Sequence, residues 1–512
     1  MRFFNLIIVF VVFSVFASSA QEKSELLFRI LNVESKQPIP YVTIQFAHNK
    51  NGTISNALGD FRIPMRYKVE SDSLIISCIG YSTKRVSLAG LPEKSFHTIY
   101  LIPKTEALNE VVINANDKKK LLARQIVQKA IDNIKNNYPV EPFSYMAYYR
   151  DYQFADEEYI NLNEGIIEVF DQGFLTQKIS NPSNRTALYS YKLNTEFIQD
   201  SLLSNSVYNK SKQINDGKMG SSIGNELTLL NIHNPIRNFN ISSFSFVYIL
   251  EKDFIVNHNF YNKGIIFLDN EELYKIEFSA KRDITRYAYK ANGFIYISKD
   301  DFSIHRFDYN LFSNSPRKLI LALNIEYKRQ ENDKMYLNYI TFNNNFFITQ
   351  NDALKVESSL YDKNISAFII KFNRTLDRSS IEKISNVKIS FQDKKLPIYS
   401  LNLIDSKTVE VKFNKEISGF LNKQNRVDEA LFSFKLKNFK DVRGFKMKKS
   451  KVEGYQFREL FVQRVFLDKM LSSTLLYAEK ALSLKHAPIN DLKTEDYWLN
   501  SPLKQMNENI PD

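Results

Sequence analysis

Cysteine and tryptophan are nearly missing from this chain: Cys78 and Trp498 are the sole examples in 512 residues. One thiol cannot staple a domain, so stability must come from packed cores, and Cys78, inside a predicted strand, reads as a small buried hydrophobe. The six histidines are scattered; none opens an H-x-x-E pair and no H-E-x-x-H occurs, so neither a zinc-protease site nor any other metal site is expected. The phosphate-binding G-x-x-x-x-G-K-[ST] loop and the dinucleotide fingerprint are also missing, so no cofactor is expected. Without an RNA-binding signature or zinc-finger spacing, the basic balance gives no reason to expect nucleic acid. Past the N-terminal region, no apolar run reaches the length of a helical membrane span.

What is present begins with an export signal over residues 1–20. Arg2 is a short basic start, Leu6 to Phe16 an apolar core, and Ser18-Ser19-Ala20 small residues before Gln21. No cysteine follows that cut, so a lipid anchor is not expected, and the chain reads as exported to the periplasm or the outer-membrane periphery. The net charge is +12 and hydrophobic residues make up 44 %, ample for globular cores. For an exported basic chain the expected partners are anionic lipid headgroups, acidic glycans or another envelope protein, with peripheral membrane contact. Lysine clusters stand at Lys118-Lys119-Lys120 and Lys446 to Lys451; elsewhere basic and acidic residues are mixed and the charge reads as diffuse. Oligomeric state is not legible.

The overall pattern is mainly β. Residues 21–115 alternate short apolar strands with Gly, Pro and Asn turns: Tyr41 to Phe46, Asn51-Gly52-Thr53, Gly59 to Pro64, Asp72 to Ser77, Ile79-Gly80-Tyr81, Ile99 to Leu101 and Leu108 to Ile113. Such spacing predicts a β-sandwich of the seven-stranded type. The elements "PIPYVTI", "NGTISNALGDFRI", "DSLIISCIGY" and "LNEVVINA" resemble the carboxypeptidase regulatory-like domain of many Gram-negative envelope proteins. That resemblance implies an accessory module, not the peptidase it is named after. The same module also precedes many TonB-dependent receptors, so an accessory role in outer-membrane uptake is an alternative.

Residues 116–140 predict a connecting helix starting at Asn116-Asp117. Leu121, Leu122, Ile126, Val127, Ala130, Ile131 and Ile134 form one stripe, and Tyr138-Pro139 ends it. Residues 141–360 predict an aromatic-rich antiparallel β-domain, interrupted by polar loops from Asn181 to Asn225. Within it, Gly293, the strand Ile295 to Ile297, the turn Asp300-Asp301 and the return at Ile304 resemble the half-barrels of periplasmic lipoprotein carriers. On that resemblance Ile295, Ile297, Ile304 and Phe307 would face an acyl ligand. Residues 361–450 predict a second, Ig-like sandwich. "FNRTLD" (Phe372, Asn373, Leu376, Asp377) and "NFKDVRG" (Asn438, Asp441, Gly444) resemble turn motifs of bacterial Ig-like domains. Residues 451–512 predict a helical C-terminal segment, with an apolar run from Leu467 to Leu484. Trp498 is expected to dock that terminus onto a β-domain.

Catalytic patterns are sparse. Gly220-Ser221-Ser222-Ile223-Gly224 fits G-x-S-x-G, with His233, His258 and His305 downstream, but the preceding residues are polar where a nucleophile elbow needs an apolar strand. The pairs Glu271-Glu272 and Asp300-Asp301 have the composition of glycosidase acids, yet they fall at predicted hairpin turns. No catalytic residue is assigned. The chain reads as a non-enzymatic cell-envelope binding or scaffolding protein; uptake accessory and envelope hydrolase are the alternatives.

Overall fold

The computed structural model describes residues 25–503, apart from 49–50, 71, 93–95, 105–120, 156–157, 201–202, 205–211, 215–224, 243–246, 286–287, 315–316, 350–353, 424–430, 445–446 and 448–450. The export signal, the element Leu108 to Ala115, the Lys118 cluster, most of the Lys446 run and the G-x-S-x-G motif lie outside the described residues. The chain divides into two compact units. One holds the segments up to 206, 214–345 and from 454; the other holds 207–213 and 346–453.

The first unit opens with the expected sandwich. In β1 (Glu25–Asn32), Leu26, Phe28 and Ile30 alternate into the core. Beside β1 lie β4 (Asp60–Pro64), antiparallel, and β7 (Phe96–Leu101), parallel. The facing sheet runs in the order β3 (Gly52–Ile54), β2 (Thr43–Phe46), β5 (Ser73–Ser77), β6 (Lys84–Ser87), and the one-turn α1 (Arg66–Val69) follows β4. Gly59 turns the chain into β4 at φ +74, where a Cβ would meet the Ile30 carbonyl at 2.6 Å. Cys78, just past β5, is buried, and burial pushes its thiol up to about 12.

The connecting helix begins later than expected. Leu122 is its N-cap, and α2 (Ala123–Asp132) is separated by Asn133 from the short α3 (Ile134–Asn137). Ile126, Val127, Ala130, Ile131 and Ile134 are buried, while Leu122 stays exposed.

A long antiparallel sheet follows. Its strands are β8 (Phe143–Ala155), β9 (Glu158–Asp171), β10 (Arg185–Leu188), the short β11 (Lys192–Leu193) and β12 (Lys212–Ile214), then β13 (His258–Leu268), β14 (Glu271–Ala280), β15 (Tyr289–Ser298), β16 (Ile304–Asn314), β17 (Arg317–Arg329), β18 (Met335–Thr349) and β26 (Lys451–Phe466). Ten of them run β10–β9–β8–β26–β18–β17–β16–β15–β14–β13, and β11 lies beside β9. The β13 edge is partly exposed, while over the central strands both faces are buried. On one, Tyr145, Tyr149, Ile276, Phe307 and Phe342 pack with α2, α4 (Glu226–Ile232) and α5 (Phe254–Asn257). On the other, Met146, Tyr148, Ile166, Tyr339 and Phe461 meet Ile54 and Tyr41 of the sandwich.

The second unit is a sandwich of its own. One sheet orders β19 (Val356–Asp362), β20 (Ala367–Phe372), β24 (Thr408–Phe413) and β23 (Ile398–Asp405); the other orders β22 (Lys394–Leu396), β21 (Val387–Phe391) and β25 (Phe432–Leu436). The short α6 (Arg378–Ile381) and α7 (Lys415–Lys423) complete it.

The helical C-terminal segment is the clear correction. Residues 451–466 are β26, inserted between β8 and β18, where two-sided burial overrides local helix preference. The run Leu467 to Leu484 forms no α-helix. Ser472 bonds the Thr474 amide at 3.2 Å, and the Ala478 amide donates to the Thr186 carbonyl at 2.9 Å, so the backbone takes partners outside a helical ladder. A 3-10 turn, Leu484–His486, is the one helical element described there. Trp498 does dock the terminus. Its ring joins the core of the N-terminal sandwich beside Phe46 and Tyr67, and its Nε1 donates to the Arg62 carbonyl at 2.9 Å. Asn500 bonds the Ile54 carbonyl at 2.9 Å, and the Arg62 amide donates to Asn500 Oδ1 at 2.9 Å. Trp498→Ala should therefore lower stability by about 3 kcal/mol or more, read as a lower urea midpoint by far-UV circular dichroism. An unchanged midpoint would mean that the tail contributes nothing to the fold.

Candidate functional site

The residues proposed to face a ligand lie on neighbouring strands, Ile295 and Ile297 on β15, Ile304 and Phe307 on β16. All four are 0 % exposed and belong to the core that the sheet shares with α2. Phe307 stacks on Phe278 at 5.5 Å and meets Phe254 of α5 edge-on at 5.6 Å. Tyr138, after α3, donates its hydroxyl to the Ile304 carbonyl at 2.8 Å. The chain's own helices thus cover these four side chains.

Ser222 lies outside the described residues. His233 caps α4 with Nδ1 2.7 Å from the Leu229 carbonyl, and its ring stacks on Phe342 at 3.8 Å. His258 follows α5 in the same manner, with Nδ1 3.0 Å from the Phe254 carbonyl. A carbonyl only accepts, so Nδ1 is assigned the proton in both rings. Burial pulls His233 down to about 3 and His258 to about 4, so both are neutral at pH 7. Each serves as a helix-end cap, and a base this weak is poorly matched to activating a serine.

The acidic turn residues are brought together. Arg329, at the end of β17, donates to Asp301 at 2.8 Å, to Ser303 at 3.1 Å and to Glu271 at 3.4 Å. His305 Nε2 lies 3.1 Å from Glu271. Burial favours a neutral Glu271, but His305, Ser298 and Arg329 outweigh it and hold the carboxyl at about 2. Asp301 is likewise lowered, its burial outweighed by Ser303 and Arg329. A glycosidase pair needs one acid raised to donate a proton near neutrality. Here both are held ionised around one guanidinium, an arrangement that ties the β15–β16 turn to the start of β14 and the end of β17. Glu272 pairs instead with Lys299.

The most heavily buried charges escaped sequence reasoning. Arg150 and Glu459, each 1 % exposed, pair at 2.5 Å across β8 and β26, and Tyr152 donates to the same carboxylate at 3.3 Å. On the helix side, Asp171 holds Lys178 and Arg237, both at 2.8 Å; these cations overcome its burial and keep it far below the usual range. Arg458 binds Glu226 of α4 at 2.5 Å and Asn344 at 2.7 Å. Nearby Asp151 accepts from Tyr191 at 2.6 Å and from Asn163 at 3.1 Å, yet burial and Glu226 push it up to about 6. A signal was available: Arg150-Asp151 sits inside an otherwise aromatic strand, and Glu164 and Glu168 share one face of the next.

Residues 29–113 match the CarboxypepD_reg-like domain, so the N-terminal sandwich is a module of that family. No curated protein matches the chain. Among solved structures, a LolA superfamily protein from Nitrosomonas europaea is 14 % identical over 44 % of this chain and 86 % of its own, with a TM-score of 0.20. A DUF1329 family protein from Desulfovibrio piger is 10 % identical over 43 % of this chain and 85 % of its own, with a TM-score of 0.19. Neither likeness is close enough to imply a shared fold.

Two outcomes follow from the buried charges. Arg150→Met strands Glu459 without its cation and should cost about 3–5 kcal/mol, much of it recovered in the double variant with Glu459→Leu; urea denaturation of the three proteins measures this. Asp151 titrates higher in the fold than its unfolded value of about 3.9. Its stabilising contribution is therefore full below pH ~4 and lost as pH rises through about 6. Asp151→Asn should remove that slope, gaining up to roughly 3 kcal/mol on the wild type between pH 4 and pH 7.5. Parallel stability–pH curves would contradict the assignment.

Proposed function

We propose that the chain is a non-enzymatic cell-envelope protein that works by binding and scaffolding. The observation that carries this reading is the double covering of the long sheet. Helices occupy one face, while the CarboxypepD_reg-like module and the docked tail occupy the other. Several of the buried charges are engaged in pairs: Arg150 with Glu459 joins two strands, while Asp171 with Arg237 and Arg458 with Glu226 tie the sheet to the segment that covers it. His233 and His258 are spent on helix ends. Such a body suits the rigid display of surfaces, and the export signal read from residues 1–20 supports an address in the periplasm or at the outer-membrane periphery.

Fractionation of cells making the full-length chain should find it with the envelope, as a soluble periplasmic or salt-releasable peripheral protein; recovery from the cytoplasm would overturn the address. A fluorophosphonate probe should leave the protein unlabelled. Labelling that disappears in Ser222→Ala would overturn the non-enzymatic reading.

A further inference from the structure

The charge of this chain is not evenly spread. Residues 346–453 contain 22 Lys and Arg against 13 Asp and Glu, a net +9, whereas the remaining 404 residues contain 47 against 44, a net +3. The inserted sandwich is therefore the strongly basic part of the molecule, which replaces the diffuse charge expected from sequence.

Within that unit the two turn motifs meet. The Leu376 and Asp441 backbones form an antiparallel bridge, the Asp377 amide donates to the Lys440 carbonyl at 3.0 Å, and the Val442 amide donates to the Thr375 carbonyl at 3.1 Å. Asp441, 2 % exposed, fixes its own turn by accepting from the Arg443 amide at 2.9 Å, and it lies 3.5 Å from the Arg374 guanidinium. Gly444 completes the turn at φ +83. Beside this junction lies an open cleft of about 340 Å³, lined by Asn373, Arg374, Thr375, Lys407, Asp441, Val442 and Arg443. Three cations, Arg374, Lys407 and Arg443, line the cleft together with one carboxylate, Asp441, which is paired with Arg374. Val442, 64 % exposed, sets an apolar side chain at the rim.

We propose that this cleft binds a phosphate group, presented by an anionic lipid headgroup or by a soluble phosphate compound. The guanidinium forks of Arg374 and Arg443 match the planar, bidentate geometry that phosphate oxygens accept, and Lys407 adds a point charge. The field of a domain at +9 raises the local concentration of anions. This goes beyond the binding and scaffolding reading by naming the ligand chemistry, and it rests on that reading.

The test uses the purified full-length chain with vesicles of phosphatidylcholine, with and without phosphatidylglycerol, and with inorganic phosphate in calorimetry. Lys407 and Arg443 are exposed, so Lys407→Ala with Arg443→Ala should fold normally. The control, Lys394→Ala with Lys395→Ala, removes the same charge from β22, outside the cleft. Wild type should bind phosphatidylglycerol vesicles, inorganic phosphate or both; the cleft variant should lose about tenfold or more, and the control should keep its affinity. Vesicle binding far tighter than phosphate binding identifies the headgroup as source, and phosphate binding that the vesicles do not exceed identifies a soluble compound. Equal losses in both variants would reduce the effect to net charge and overturn the cleft. Absence of binding in both arms would overturn it as well, while the envelope address and the probe result would stand independently.

Discussion

A sheet buried on both faces has nowhere to send a charge. That constraint organises the first unit of this protein. A buried ion costs several kcal/mol in lost hydration, and removing its partner exposes the whole of that cost. Buried charges of the central strands are accordingly met by partners, some within the sheet and some, like Glu226 for Arg458, from the segment that covers it. Arg150 and Glu459 lie directly opposite on β8 and β26, Tyr148 donates to Glu164 at 2.7 Å, and Ser144 donates to Glu168 at 2.7 Å. Because strand side chains alternate, a slip of one residue would move Arg150 among the helices and Asp151 beneath the sandwich. The buried ions therefore fix register as firmly as the aromatic core fixes layer spacing.

The same constraint explains why the N-terminal module does not behave as a separate bead. Thr43 and Asn338 share a hydrogen bond at 2.8 Å, Tyr41 stacks on Tyr339 at 5.2 Å, and the Gly80 amide reaches the Phe267 carbonyl at 2.8 Å. Its core includes Trp498, more than 400 residues away in sequence. Arg62 also donates to the tail carbonyls of Ser501 at 2.9 Å and Pro502 at 3.3 Å. The module contributes a wall to the sheet, and the far end of the chain contributes a side chain to the module.

Much of this was legible where one strand reports its own environment. Leu26, Phe28 and Ile30 alternate visibly, and so do Ile295 and Ile297, which is why the β class and the N-terminal sandwich could be read. What failed was reading the partner of a segment from its own residues. Gly454 to Phe466 carries apolar, aromatic and charged residues together, and only the vacant position between β8 and β18 makes a strand of it. Likewise Leu471, Leu475 and Leu482 suggest a helical stripe, but the neighbouring backbone bonds go to Thr186 and Leu188. The apolar residues Ile304 and Phe307 were recognised as one face, while the cover of that face came from α2 and α5, elsewhere in the sequence. Ser222 belongs to a stretch outside the described residues.

The position of β26 has a consequence for how the molecule is made. Chains emerge from the ribosome N-terminus first, so β8 and β18 are complete long before the strand that joins them exists. Until more than a hundred further residues, including the whole inserted sandwich, have appeared, the sheet consists of two separate ribbons. Each then presents an aromatic-rich open edge, the kind of surface on which strands of other chains can add. Closure of this sheet thus waits for β26, and the interval before it is when holdase chaperones and proteases have their best access to the two open edges.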